Sequence, residues 1–313
     1  MTDQSDSVYI IPDTLNLCLL FISASACAAL LYGASHAPKL WITALCAIAF
    51  SFTTNTIFSL LHEAVHGLFS SHKNINTWAG RFAAAWFPTG LMLQRAFHLT
   101  HHKNNRSEIE QFDILHPGDI KWLKYAQWYA ILTGVYWAVS VLGALLYCLL
   151  PQVFYLKLLR EKQSKIATQT SSIAYLQAVE NIDPWIARAE IAFSVGFQIM
   201  LFLLLDLSVI GWLSCYAAFG LNWSSLQYTD HAFSPLDAHN GAWNLRVGWL
   251  GRILFLNYHT HLAHHQNPRA PWTYLPSLIV EGTTRPSFFR VWWASWGGPK
   301  PIDKLPKFDH DQD

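Results

Sequence analysis

Charge is what this sequence has least of. Asp, Glu, Lys and Arg make up only 13% of its residues, about half the share of roughly 25% usual in soluble domains. So thin a charged complement argues against an ordinary soluble domain. What charge there is nearly cancels, to a net +1, and no basic field marks a nucleic-acid partner. Cysteine is scarce as well. Cys18, Cys27, Cys46, Cys148 and Cys215 all lie in apolar stretches, and none forms a C-x-x-C pair. Neither a disulfide framework nor a thiolate metal site is indicated. The start, "MTDQSDSVYIIPDTLN", lacks a basic n-region and a small-residue cleavage site before a short apolar core. No cleavable signal peptide is therefore expected. Repeats and low-complexity tracts are missing too.

Apolar residues are what the chain has instead, 52% of 313, with 15 Trp, 12 Tyr and 19 Phe. Many aromatics flank apolar runs, as in membrane-interface belts. A spanning helix needs about 20 mainly apolar residues, and four runs qualify: 15–33, 41–61, 125–150 and 191–220. The short link "ASHAPKL" makes a hairpin of the first two. The last run is interrupted by Asp206, so it reads as one long helix or as two crossings hinged there. "WAGRFAAAWFPTGLML" is broken by Arg81 and Pro88 and reads as interfacial or re-entrant. Residues 151–187 read as short surface helices. The chain is thus expected to be an all-α integral membrane protein, a single domain over 1–313. About four transmembrane helices carry a cap made from 62–124 and 221–313. Those two cap stretches hold 15 of the 21 Lys and Arg, which places the cap in the cytoplasm. One feature opposes this parity. Lys157, Arg160, Lys162 and Lys165 fall in the 151–187 loop, which four crossings would put outside.

The 15 histidines cluster. "HEAVH" holds His62 and His66. "HLTHH" holds His98, His101 and His102. "HLAHH" repeats that spacing with His261, His264 and His265, and "LQYTDH" ends in His231. Positions three or four apart share a helix face. Adjacent positions differ by about 100°. One H-x-x-H-H segment can therefore send two imidazoles to one metal and the third to a neighbouring metal. Eight motif histidines exceed what one ion takes, which argues for a two-metal site. His231 and Gln227, four apart after the fourth apolar run, mirror His62 and His66 after the second. Gln227 is a candidate for holding a metal-bound water. Imidazole suits Fe, Zn, Cu and Ni, whereas Mg and Ca call for carboxylates. Glu63, Glu108, Asp113, Asp230 and Asn257 lie near enough in sequence to fix ring tautomers from the outer shell. His36, His72, His116, His239 and His310 lack a spaced partner and read as structural. His259 stands two residues before a motif.

H-E-x-x-H by itself is also the zinc-metalloprotease signature. That reading leaves both H-x-x-H-H motifs without work, and no N-P-D-G-like segment offers a third ligand. "HPGD" at 116–119 is similar to a haem-binding H-P-G-G, but there is no room around it for a cytochrome domain, and it reads as a turn.

In the order and spacing of these motifs, and in their position after apolar runs, the chain resembles the membrane fatty acid desaturase and hydroxylase superfamily over roughly residues 40–280. The resemblance implies a di-iron centre held by His62, His66, His98, His101, His102, His231, His261, His264 and His265, under a cytoplasmic cap, with O2 as co-substrate. It implies O2-dependent oxidation of an unactivated C–H bond in a fatty acyl chain, with desaturation first. A hydroxylase, a carotenoid ketolase or a 1-alkene-forming fatty acid decarboxylase is the alternative. Three residues between His62 and His66, His261 leading the last motif, and Gln227 where an asparagine is usual all count against the animal acyl-CoA and front-end subtypes. Electrons are expected from a separate ferredoxin, rubredoxin or cytochrome b5. Trp86, Phe87, Trp223 and Tyr228 are expected to line an apolar tunnel. Arg81, Arg95, Lys103 and Arg106 are expected to face either an anionic head group or the phospholipid interface.

Overall fold

A computed structural model describes residues 9–156, 160 and 172–308. Residues 1–8, Lys157, Lys162, Lys165 and His310, which enter the expectations above, lie outside these. The helices are α1 (Asp13–Ser35), α2 (Leu40–His66), α3 (Lys73–Trp86) and α4 (Leu91–Asn104), then α5 (Lys121–Leu132) and α6 (Val135–Leu149). They continue with α7 (Ser172–Glu180), α8 (Pro184–Leu204) and α9 (Val209–Thr229), and end with the short α10 (Trp249–Leu254), α11 (His261–Gln266) and α12 (Phe288–Ser295). Among the described residues only isolated β-bridges occur, so the all-α expectation holds. By length and composition α1, α2 and α8 can cross a membrane, and the bent pair α5–α6 would be a fourth candidate.

Helix α2 is the central element. Phe50, Ile57, Leu60 and Leu61 are buried, packed with Leu31 of α1 and Tyr216 and Phe219 of α9. The long helices run alternately up and down. At one end the α1–α2 and α8–α9 turns meet, with His36 Nε2 3.9 Å from Asp206 Oδ2. Gly211 approaches Ser35 so closely there that a Cβ would lie 2.6 Å from the serine Cα. At the other end α2 finishes with His62 and His66. α1 begins there, because Asn16 Nδ2 donates to the Phe69 carbonyl at 2.9 Å. α8 begins there too, because Arg81 Nε donates to Glu190 at 2.8 Å. Asp183 caps α8 by accepting from Trp185 N and Ile186 N, with Pro184 in the first turn, a standard start signal.

Of the two readings of the run 191–220, the structure takes the second, two antiparallel helices. The chain reverses where Asp206 adopts φ 46°, a left-handed conformation that Asp tolerates better than most residues. Ser208 then caps α9 through Gly211 N. The run 125–150 is not one helix. α5 and α6 meet at 96°. The break is at Gly134, φ 81°, where a Cβ would sit 2.6 Å from Leu221 N and 2.7 Å from Gly220 C. The chain bends because only glycine lets it pass against the α9 backbone. Finally, α6 ends beside the start of α8, since Arg188 Nε donates to the Cys148 carbonyl at 3.0 Å. The end of α6 and the start of α8 thus both lie at the histidine end.

Gly134→Ala is expected to destabilise the protein by about 2–4 kcal/mol, the sum of left-handed strain and backbone overlap. Thermal unfolding of the purified protein checks this, and an unchanged midpoint would mean that the bend does not depend on the close approach.

Candidate metal centre

The nine motif histidines converge at one end of the bundle in two groups. His62, His66, His98, His102 and His264 form one, and His101, His231, His261 and His265 the other. Within each group the ligand atoms lie within 4.8 Å of one another. α4 contributes His98 and His102, one helical turn apart, to the first group and His101 to the second. α11 does the reverse, with His264 in the first group and His261 and His265 in the second. α2 supplies His62 and His66. The residue just past the C-cap of α9 supplies His231. The groups adjoin, with the His102 and His265 rings 4.3 Å apart.

Ring nitrogens face one another at short range. Nε2 of His98 lies 2.8 Å from that of His66 and 2.9 Å from that of His102. His264 Nε2 lies 3.0 Å from His102 Nε2, and His265 Nε2 lies 3.2 Å from His261 Nε2. Such separations suit neighbouring ligands of an ion about 2.0–2.1 Å from each nitrogen. Tautomers sharpen the point. His231 Nδ1 donates to the Gly241 carbonyl at 2.8 Å, so its Nε2 is a bare lone pair. His101 Nδ1 meets Glu110 Oε2 at 2.7 Å, while Tyr175 OH donates to Glu110 Oε1 at 2.7 Å. A carboxylate oxygen can only accept there, so His101 Nδ1–H donates to it and His101 Nε2 is a bare lone pair as well. The two lone pairs then face each other at 3.1 Å. Two acceptors at that distance repel unless a cation sits against both. His62 Nε2 is buried with no hydrogen-bond partner, another donor atom left for an ion. Burial, reinforced by neighbouring imidazoles, lowers the pKa of His98, His231, His261, His264 and His265 well below the ordinary value. Neutral imidazole is the ligating form. The donor set is all nitrogen, which fits Fe, Zn, Cu or Ni and not Mg or Ca.

Outer residues divide unevenly. Asp230 is fully buried, both carboxylate oxygens lack a hydrogen bond, and Oδ2 lies 3.5 Å from His261 Nδ1. Burial raises its pKa well above the usual range. Gln227 accepts from Tyr258 OH at 3.0 Å, and its Nε2 is buried without a partner. Glu63 accepts from Trp272 N at 3.2 Å and lies 3.9 Å from His62 Nδ1. Asn257 donates to the Trp272 carbonyl at 3.3 Å rather than to a histidine. Glu108 is exposed, and Glu110, two residues on, makes the contact expected of it. Asp113 belongs to Arg106, not to the histidines. Glu110, Tyr175 and Tyr258 were not legible as site residues, because nothing in their spacing marks them. Tyr258 packs edge-on to His62 with ring centres 5.1 Å apart.

Two groups of residues correct the sequence reading. Arg81, Arg95 and Arg106 are used internally. Arg95 caps the end of α2 through the Ala64 and Val65 carbonyls at 2.8 and 2.9 Å, and Arg106 is buried against Asp113. Only Lys103 of the four is exposed. Trp86, Phe87 and Trp223 are buried in a cluster of aromatic rings, with Phe87 and Trp223 centres 4.8 Å apart. Tyr228 instead holds the cap through Phe112 N and the Glu110 carbonyl. A small cavity of about 10 Å³ does touch the histidines. Its walls include His62, His261, His264, Leu256, Tyr258 and Trp272, and it has room for about one water.

Glu110→Gln is expected to weaken metal binding about 10- to 100-fold, the usual effect of losing such a ring partner. Glu108→Gln is expected to leave it within two-fold. Chelator competition on the purified protein measures both, and equal affinities in the two variants would remove Glu110 from the site.

Nine imidazoles delivered to one end of an apolar helical bundle, in two groups that could each hold a metal ion, mark a helical protein with a candidate metal centre and several helices apolar enough to cross a membrane. The fatty acid desaturase family model matches residues 15–285, most of the chain, and the chain belongs to the fatty acid desaturase family. None of the curated proteins compared with it matches.

Proposed function

We propose that this chain is a multi-pass membrane enzyme that oxidises an unactivated C–H bond of a fatty acyl chain, with desaturation of CH2–CH2 to CH=CH as the first reading. The observation that carries it is the five-plus-four division of the histidines into adjoining groups. His62, His66, His98, His102 and His264 would hold one iron, and His101, His231, His261 and His265 the other. With O2 and electrons from a separate donor, such a pair of irons supplies an oxidant able to take hydrogen from a saturated carbon, which no general base can do. The donor is proposed to be a ferredoxin, a rubredoxin or cytochrome b5.

The protein's own part is orientation and exclusion of water. Glu110 and the Gly241 carbonyl hold the rings of His101 and His231 in register, and Asp230 lies 3.5 Å from His261 Nδ1. Gln227 Nε2 is left for a water. The small cavity touches His62 and His264 of one group and His261 of the other, so a carbon lodged there lies beside both. It has room for about one water-sized group, and its apolar walls Leu256 and Leu275 must shift to admit a chain. How that chain is held decides between a second hydrogen removal and return of oxygen.

In the membrane, α1, α2, α8 and α9 are proposed to cross, with α5–α6 bent into the interface. All of the 21 Lys and Arg except Lys39 and Arg188 then belong to segments that begin and end at the histidine side, and Arg188 stands in the second turn of α8 at that same side, which supports a cytoplasmic active site.

Product analysis after expression with an electron-donor system tests the chemistry. An internal double bond supports desaturation. A new oxygen would move the enzyme to the hydroxylases or ketolases, a shortened 1-alkene to the decarboxylases. No lipid product at all, with zinc in place of iron, would overturn the reading in favour of a zinc enzyme.

A further inference from the structure

A second polar cluster lies on the cap's rim, apart from the histidine groups. α10 is fastened along the flank of α2. Thr56 Oγ1 donates to the Leu254 carbonyl at 2.6 Å and Ser59 Oγ to the Phe255 carbonyl at 3.0 Å. Thr56 is ten residues before the end of α2, about 15 Å down that helix. α10 therefore lies below the metal centre, at the level where the apolar bundle meets the cap. Its outer side is apolar and exposed, with Trp249, Leu250 and Ile253. Phe289 and Trp293 of α12 are exposed as well, and α12 is joined to this region by a bridge between Arg246 and Ser287.

Among these side chains are cations without anions. Neither Arg252 nor Arg285 forms an ion pair among the described residues, and Arg285 Nε is buried with no partner. Arg252 and Arg246 are close enough to oppose the charge on Arg285. Behind them His259 is 2% exposed, and its Nδ1 has no partner. Like charges gathered around an unpartnered buried polar atom are costly unless a ligand neutralises them.

We propose that Arg252 and Arg285, backed by His259, bind the anionic headgroup of a lipid. Two guanidiniums suit a phosphate or carboxylate. Exposed Trp, Leu and Ile beside them are the companions of a headgroup at an interface, not of a free anion in water. Leu256 and Tyr258, which wall the cavity at the histidines, lie between Arg252 and His259 in the chain. A lipid held at the arginines thus has its acyl chain next to that cavity, which makes this the headgroup subsite of the substrate. Only this last step rests on the proposed acyl chemistry.

The test titrates the purified full-length protein, in a neutral detergent, with dioctanoyl phosphatidylglycerol, dioctanoyl phosphatidylcholine and inorganic phosphate, read by intrinsic tryptophan fluorescence. Wild type is expected to prefer the anionic lipid on the order of ten-fold or more. Arg252→Gln and the Arg252→Gln/Arg285→Gln pair are expected to lose that preference with the metal content unchanged. The exposed single variant guards against a folding defect in the pair. Equal binding of the two lipids, an undiminished preference in both variants, or displacement of the lipid by an equal concentration of inorganic phosphate would overturn the proposal. Selective binding without any acyl product would leave the headgroup site standing and remove the enzymatic reading.

Discussion

His264→Ala is expected to lose metal from the five-histidine group and to cut product formation roughly 10³-fold or more, as removal of a member of a catalytic unit does. The reason lies in where His264 comes from. The other four members of its group belong to α2 and α4, which precede residue 105. His264 alone brings α11 to them, with its Nε2 3.0 Å from that of His102 and its ring 4.5 Å from that of His62. It also walls the small cavity. Removing it opens one side of the group and leaves His261 and His265 on the same short helix to hold the second. The variant is therefore expected to keep its fold and part of its metal. Metal analysis beside product profiling checks this, and a variant with full metal content and wild-type product would remove His264 from the centre.

Asp113→Ala is expected to cost about 3–5 kcal/mol of stability, because it strands a buried charge. Arg106 grips Asp113 with two hydrogen bonds of 2.7 and 3.0 Å, and the two side chains are 1% and 0% exposed. The same carboxylate accepts from Phe233 N at 2.7 Å and from Tyr228 OH at 3.3 Å. It thereby ties the stretch after α4 to the turn that carries His231. The alanine variant leaves the Phe233 amide without its partner and the buried guanidinium with only the Ser234 carbonyl. A double change, Arg106→Met with Asp113→Leu, removes the charge along with its partner and is expected to recover much of the loss. Denaturation midpoints of the two variants decide it. If the single variant were as stable as wild type, the pair would not be holding the cap together.

Eight of the histidines were legible because helical geometry relates spacings of three and four to a shared face, and His231 because it follows its apolar run as His62 and His66 follow theirs. Their division between groups follows from the 100° between neighbours, and α4 and α11 display it with opposite shares. Direction was less legible. A hydropathy run records how apolar a stretch is, not where it turns. The reversal at Asp206 was readable only as one of two options, and the bend at Gly134 not at all, since its cause is the backbone of α9 nearly ninety residues later. The carboxylate on His101 was misplaced by two residues, because the short turn at Glu108–Glu110 points only the second of them inward. The arginines were misread for a related reason. Sequence gives their charge, while the carbonyls and carboxylates that consume Arg81, Arg95 and Arg106 come from distant segments.

Iron stoichiometry with Mössbauer spectra of the anaerobically purified protein tests the central claim most directly. Two irons per chain are expected, in nitrogen-rich sites that interact magnetically, with His264→Ala and His261→Ala each depleting a different one. A single ion per chain, or one whose occupancy is lost only on changing His62 or His66, would contradict a paired centre and with it the oxidation of acyl chains.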